Sequence, residues 1–296
     1  MFASIVLLTR QAGPALDTLL ATLFAQETRE PFEVIAIDSG SSDGTVERLE
    51  RWPVRLERIS VGEFGFGRAK NRAAERASGR ALVFLSQDAL PIDSGWLSRL
   101  VGNLEPNLVA GSYGRQIPWP TTKPPEAYFL SQTYPSHRLV RRGPRPEAGG
   151  VAFSNVNSAI RREVWSQHPF DERLLMSEDQ EWAYRVCRAG YEIVYDPDAA
   201  VRHAHSYSLG GLFRRSFDSG ATLRSILPRS TSPITTRGPG YLAGELRYLA
   251  GRRAVHWIPY TLLYEASRLA GYLIGTQAHR LPLPLTRRLS WHSHLW

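Results

Sequence analysis

The sequence carries a single cysteine, Cys187, in 296 residues. It therefore supports neither an intrachain disulfide framework nor a cysteine-based zinc site. Lysine is almost as scarce. Lys70 and Lys123 are the only two, so nearly all of the 36 basic residues are arginines. Long apolar runs are missing too. The longest stretch, Trp257 to Ile274, is interrupted by Pro259, Glu265 and Arg268, whereas a spanning helix needs about 20 predominantly apolar residues. The opening MFASIVLLTR has no basic residue ahead of its short apolar run, so it reads as a buried first strand rather than a secretory leader. Few thiols and no spanning segment together point to a reducing, cytoplasmic location. Two phosphate-binding fingerprints are also lacking: no glycine-rich loop ends in GlyLysSer or GlyLysThr, and Thr9, Arg10 and Gln11 stand where a GxGxxG turn would follow the first strand.

What is present is globular in composition, at 43% apolar and 22% charged residues, and no more than about two domains long. The formal charge of +8 is unevenly placed. Residues 1–200 hold 23 basic and 25 acidic residues, whereas 201–296 hold 13 basic and 3 acidic. The positive charge thus belongs to the last third.

Apolar runs at 4–8, 32–37, 54–59 and 81–85 read as strands, and a further strand begins near 108. Helical spacing at 15–25, 45–52 and 68–77 alternates with them. This predicts an α/β fold with a mostly parallel sheet covered on both faces, whose ligands bind at the carboxyl ends of the strands. Seven prolines between 117 and 150 predict a loop or insertion without long helices. Helices at 163–168 and 179–189 and a strand at 192–195 follow. From Leu209 the chain reads as helical and basic, with a Pro/Gly/Thr-rich linker at 228–240. The expected division is a catalytic unit over 1–208 and a helical, basic extension over 209–296.

Several strand ends carry polar chemistry. Asp38 opens a DSGSSDGT turn over 38–45, where Ser42 or Asp43 can cap the next helix; the turn is either simply capped or ligand-facing. Asp88 stands just past a buried strand, where a carboxylate calls for a cation or water. Gly65 and Gly67 precede a helix bearing Arg68, Lys70 and Arg72, a pattern that attracts phosphate. Asp179 and Glu181 stand in a first helical turn, which acids favour anyway. His203 and His205, two apart on an extended segment, face the same way and are either structural or metal-binding.

Taken in order, DSGSSDGT (38–45), FGFGRAKN (64–71), FLSQDA (84–89), SNVNSA (154–159), SED (177–179) and HAHSYS (203–208) resemble the family-2 glycosyltransferases of GT-A fold. The FLSQDA segment and GRQ (114–116) point to the rhamnosyltransferases of bacterial surface-polysaccharide assembly. The resemblance, over about residues 3–215, implies an inverting transfer of a sugar from a dTDP- or UDP-linked donor to a glycan or polyprenyl-linked acceptor, with Mg²⁺ or Mn²⁺ as cofactor. It implies that Thr9, Arg10, Asp38, Ser39, Gly67, Arg68, Lys70, Asn71, Gln87 and Asp88 hold the nucleotide sugar. Asn155, Asn157, Glu178, Arg115 and Gln116 would meet donor sugar or acceptor, Asp179 would be the base, and Asp88 with His203 or His205 would hold the metal. The chain departs from the family's DXD pattern at Ser86.

For the basic last third, arginine interleaved with Tyr241, Tyr248, Trp257, Tyr260, Tyr264 and Tyr272 suits an anionic membrane surface at the inner face of the plasma membrane. The alternative is that these helices pack on the catalytic unit or form a homodimer. A sugar-nucleotidyltransferase, an inactive nucleotide-sugar-binding module and a nucleic-acid-binding protein are the competing readings. The slightly acidic motif-bearing part argues against the last, and no nucleic acid is expected as partner.

Overall fold

The computed structural model describes residues 2–142, 153–226 and 233–296, without the side chains of 225 and 233–239. Its described strands form a nine-stranded sheet. β1 (Ala3–Thr9), β2 (Glu33–Asp38), β3 (Val54–Arg58) and β4 (Ala81–Ser86) are all parallel, in the order β3-β2-β1-β4. β8 (Asn157–Arg161) then pairs antiparallel with β4 and opens a mixed half. That half contains β6 (Val109–Ile117), β9 (Glu192–Arg202), β5 (Leu90–Pro91) and β7 (Leu139–Arg141).

The continuous apolar text of β1 reflects burial on both faces. Ile5 and Leu7 pack with Leu16, Leu20 and Leu23 of α1 (Ala15–Phe24), while Val6 joins Ala69 and Ala73 of α3 (Phe66–Arg76) on the opposite face. α2 (Thr45–Leu49), α4 (Trp96–Gly102), α6 (Arg162–Gln167) and α7 (Glu178–Arg188) complete the layers. β1 to β4, β6, β9, α1 to α3, α6 and α7 stand where the sequence predicts them, whereas α4, β5 and β8 are additions it did not predict, and the α/β reading holds.

Two expectations change. The proline-rich segment contains a ten-residue helix, α5 (Pro124–Thr133), and the strand β7. Pro124 and Pro125 sit in its first turn, where no backbone N–H is needed and the fixed φ of proline is helical. Residues 143–152 lie outside the described residues. Likewise, much of the expected linker is the start of α9 (Pro233–Gly251), while 228–232 lie outside the described residues.

The C-terminal helices α8 (Leu209–Ile226), α9, α10 (Ile258–Gly275) and α11 (Leu283–Leu289) pack on this body. Several of their aromatic residues turn toward the body. Tyr264 and Tyr272 are buried, and the Tyr264 hydroxyl donates to Glu126 of α5 at 2.7 Å. Tyr241 and Tyr248 lie 5.1 and 5.3 Å from the ring of Tyr128. The outward residues of α10 are aliphatic instead, Leu262, Leu263, Leu269, Leu273 and Ile274 among them. The terminal segment also turns inward. Asp218 of α8 accepts the backbone N–H groups of Trp291 and His292, each at 3.0 Å, and the His292 ring packs edge-on against Phe66 at 5.1 Å.

Candidate active site

The segments that follow β4 and β9 bring polar residues together. Asp88 follows β4, and the Ser86 hydroxyl donates to its Oδ1 at 2.6 Å. His203 and His205 follow β9, with ring centroids 4.5 Å apart. His203 Nε2 lies 3.6 Å from one Asp88 oxygen and His205 Nδ1 lies 3.9 Å from the other. The ligand atoms of all three residues fall within 4.8 Å of one another. The GRQ segment explains part of this. Between Gly114 and Gln116 the β6–β9 register shifts, and a Cβ at Gly114 would stand 1.7 Å from the Ala199 carbonyl. The glycine lets the two strands close, and Gln116 then meets His203, its Oε1 2.9 Å from Nδ1. The Gln116 amide nitrogen is turned the other way, donating to the Tyr134 hydroxyl at 2.6 Å. This network assigns the proton of His203 to Nδ1 and leaves Nε2 bare.

Nε2 of His203 is buried without a hydrogen-bond partner. Burial depresses the pKa of His203, and burial together with His203 pushes His205 down to about 3, so both rings are neutral. At Asp88 the opposing effect of burial is outweighed by His203, the Ser86 hydroxyl and His205, which hold it below the ordinary carboxylate range. An ionised carboxylate, two neutral imidazoles and an orphaned ring nitrogen aimed at their midst fit a divalent cation.

Asp179 stands in the first turn of α7. Ser177, just before the helix, takes a left-handed φ of 61°, unusual for a residue other than glycine, asparagine or aspartate. Asp179 Oδ2 accepts the Asn155 N–H at 3.0 Å, and Oδ1 accepts the Gln180 N–H at 2.8 Å. Burial, then the charge of Glu178, raise its pKa to about 6, with Lys70 opposing. Asp179 borders a cavity of about 250 Å³ together with Ser86, Ser154, Asn155, Lys70 and Arg215. The amide nitrogen of Asn155 is buried beside it with no partner.

Other residues from the sequence reading have different surroundings. Asp38 is fully buried and gives its oxygens to Thr9, Gly40 and Ser41, and Ser39 is buried beside it. Its motif clasps the loop after β1, because Ser41, Asp43 and Thr45 accept the N–H groups of Gln11, Gly13 and Ala12. Asp43 also accepts the Thr45 N–H at 3.2 Å, but the N-cap of α2 is Gly44 and makes no side-chain cap, so the cap expected at Ser42 or Asp43 does not form as such. Positive φ angles at Gly40 and Gly44 make this turn possible. Gln87 brackets the Arg10 backbone from both sides, at 2.9 and 3.0 Å. Gly67 is a packing glycine, its missing Cβ 2.7 Å from the Asp171 carbonyl. Asn71 is committed to Phe170, Glu172 and Trp165, and Asn157 to Trp96 and Ala199. Arg68 is exposed and lies 3.8 Å from Glu172. Lys70 is buried in an ion pair with Glu178, so the cation read from sequence as phosphate-binding is matched by the neighbour of Asp179. Arg115 lies on β6, half-buried, one residue from the His203 support. Sequence reasoning missed Arg215, because Arg214 and Arg215 look alike until the helical register of α8 turns one outward and the other toward the cavity.

The profile of glycosyl transferase family 2 matches residues 4–166. The O-antigen chain rhamnosyltransferase RfbN of Salmonella typhimurium is 29% identical, over 100% of this chain and 96% of its own. The O-antigen chain rhamnosyltransferase WbaN of Salmonella anatum is 29% identical, over 99% and 95%. Among solved structures, the mannosyltransferase PcManGT from Pyrobaculum calidifontis, in complex with GDP-Man and Mn²⁺, superposes with a TM-score of 0.58 at 20% identity, over 99% of this chain and 84% of that one.

Proposed function

The chain belongs to glycosyl transferase family 2, and we propose that it moves rhamnose, with inversion, from dTDP-rhamnose to a hydroxyl of a polyprenyl-linked glycan. The full-length similarity to two O-antigen rhamnosyltransferases supports the choice of sugar. The observation that carries the mechanism is the placing of one aimed carboxylate, Asp179, in a cavity that also reaches Ser86, whose hydroxyl is bonded to Asp88. Asp179 takes the proton of the acceptor hydroxyl as it attacks the anomeric carbon. A base with pKa about 6 is ionised at neutral pH yet stronger than an ordinary carboxylate. Glu178 is occupied by Lys70 and is not a second catalytic carboxylate. A single base opposite the leaving group produces one displacement and therefore inversion, whereas a retaining hydrolase sets a nucleophilic carboxylate about 5 Å from its acid.

Asp88, His203 and His205 are the residues that would hold a divalent ion. Such an ion neutralises charge on the diphosphate as a Lewis acid. Two imidazole donors favour Mn²⁺ over Mg²⁺, which prefers oxygen. The Mn²⁺ named with PcManGT agrees with that choice. The unpartnered Asn155 amide is placed to donate to a sugar hydroxyl. Peripheral association with the cytoplasmic face of the membrane accounts for the exposed leucines of α10 and brings the site to a lipid-linked acceptor. The reading is tested by offering dTDP-rhamnose and UDP-sugars with lipid-linked acceptor. Transfer that EDTA abolishes and Mn²⁺ restores supports it, and full activity in chelator removes the metal from the account.

A further inference from the structure

The departure of a nucleoside diphosphate leaves negative charge on phosphate, and the site needs a cation to meet it. The cations of the phosphate-attracting helix foreseen from sequence, Arg68, Lys70 and Arg72, are already engaged. Lys70 is paired with Glu178, Arg72 with Glu57, and Arg68 lies near Glu172. Arg215 is different. It borders the cavity with Asp179 and Ser86, half-buried, and among the described residues its recorded partners are neutral. Nη1 donates to the Met176 sulfur at 2.8 Å and to the Ser219 hydroxyl at 3.1 Å. A thioether is a weak acceptor for a guanidinium, which presents five donors and suits phosphate oxygens bidentately.

α8, which carries this charge, is held in place one turn on, where Asp218 accepts the backbone N–H groups of Trp291 and His292. Arg215 lies outside residues 4–166, the part matched by the family profile.

We propose that Arg215 is the cation that stabilises the departing diphosphate. As the acceptor oxygen bonds to the anomeric carbon, the bond from that carbon to the phosphate oxygen breaks and its electron pair stays on the diphosphate. The acceptor proton goes to Asp179, and Arg215 hydrogen-bonds the leaving oxygens without giving up a proton. The proposal rests on the glycosyltransferase reading.

The test is calorimetric binding of dTDP, UDP and GDP, and of the matching monophosphates, in the presence of Mn²⁺. It uses wild type, R215A, R215Q, which keeps length and hydrogen bonding without charge, and R214A as the exposed neighbour. The expected result is that R215A and R215Q weaken the diphosphate about tenfold or more. The monophosphate and the R214A variant should stay within about twofold of wild type. Unchanged diphosphate binding in R215Q, or equal loss for diphosphate and monophosphate, overturns the proposal alone. A wild-type protein that binds none of the three diphosphates overturns the glycosyltransferase reading itself, and the proposal with it.

Discussion

Glu178 and Asp179 are neighbours in sequence and opposites in role. Glu178 is buried against Lys70, whereas Asp179 borders the cavity with a pKa lifted by burial and by Glu178 to about 6. Because that value exceeds the ordinary 3.8, the protonated form favours the fold. Its contribution is complete below pH about 3.8 and is lost as pH rises through about 6. Asp179→Asn cannot ionise, so its melting temperature should exceed that of wild type at pH 8, with the gap closing toward pH 4. A gap independent of pH would show that Asp179 is not perturbed. Transfer by the same variant should fall by about 10² or more, the scale of a lost general base. Gln116 offers a second test at this scale. Gln116→Leu removes the acceptor that fixes the His203 proton, so Mn²⁺ affinity, read by titration, should fall about 10- to 100-fold. Unaltered affinity would show that the Gln116 bond does not orient a ligand.

The joint between α8 and α10 depends on glycine at the scale of elements. Cβ atoms at Gly271 and Gly275 would stand 2.3 and 2.1 Å from the carbonyl oxygens of Phe213 and Phe217. The two helices therefore approach backbone to backbone, four residues at a time. Gly275→Val must push them apart, and the expected cost is about 1–3 kcal/mol, seen as a lower denaturation midpoint. An unchanged midpoint would contradict the close contact. Elements of this kind differ in how far the sequence reveals them. The strands β1, β2 and β4 were legible because each is a continuous apolar run buried on both faces. The Asp88–His203–His205 cluster was legible as a family pattern, since both strand ends carry polar residues. α5 was not, because prolines 124 and 125 read as breakers although a first turn accepts them. The inward course of the C-terminal segment was illegible for another reason: it depends on Asp218 and Phe66, far away in sequence. Asp38 shows the same limit, since its motif is visible but its burial under its own loop is not.

The uneven charge takes on a structural meaning in the whole molecule. Among the described residues no helix is long and apolar enough to cross a membrane. α10 nonetheless exposes Leu262, Leu269 and Leu273 at helical spacing, and α11 exposes Leu283 and Leu285. Exposed Arg252 and Arg253 precede this face, and Arg280, Arg287 and Arg288 follow it. The one acid of α10, Glu265, is paired with Arg268. Two copies meeting through this face would oppose like charges, whereas an anionic bilayer complements both leucine and arginine, at about 1 kcal/mol per basic residue. Flotation with phosphatidylglycerol vesicles should carry the protein, and a Leu262/Leu269/Leu273→Ser variant should stay behind. Equal flotation with neutral phosphatidylcholine would remove the electrostatic part of this reading. The proposed reaction joins a base in the first turn of α7 to a cation-binding cluster beyond β4 and β9, and moves a sugar from a nucleotide. Release of nucleoside diphosphate from dTDP-rhamnose in the presence of lipid-linked acceptor measures it most directly. Release should require Mn²⁺ and fall by about 10² or more in Asp179→Asn; release undiminished in that variant would contradict the role of Asp179 as base.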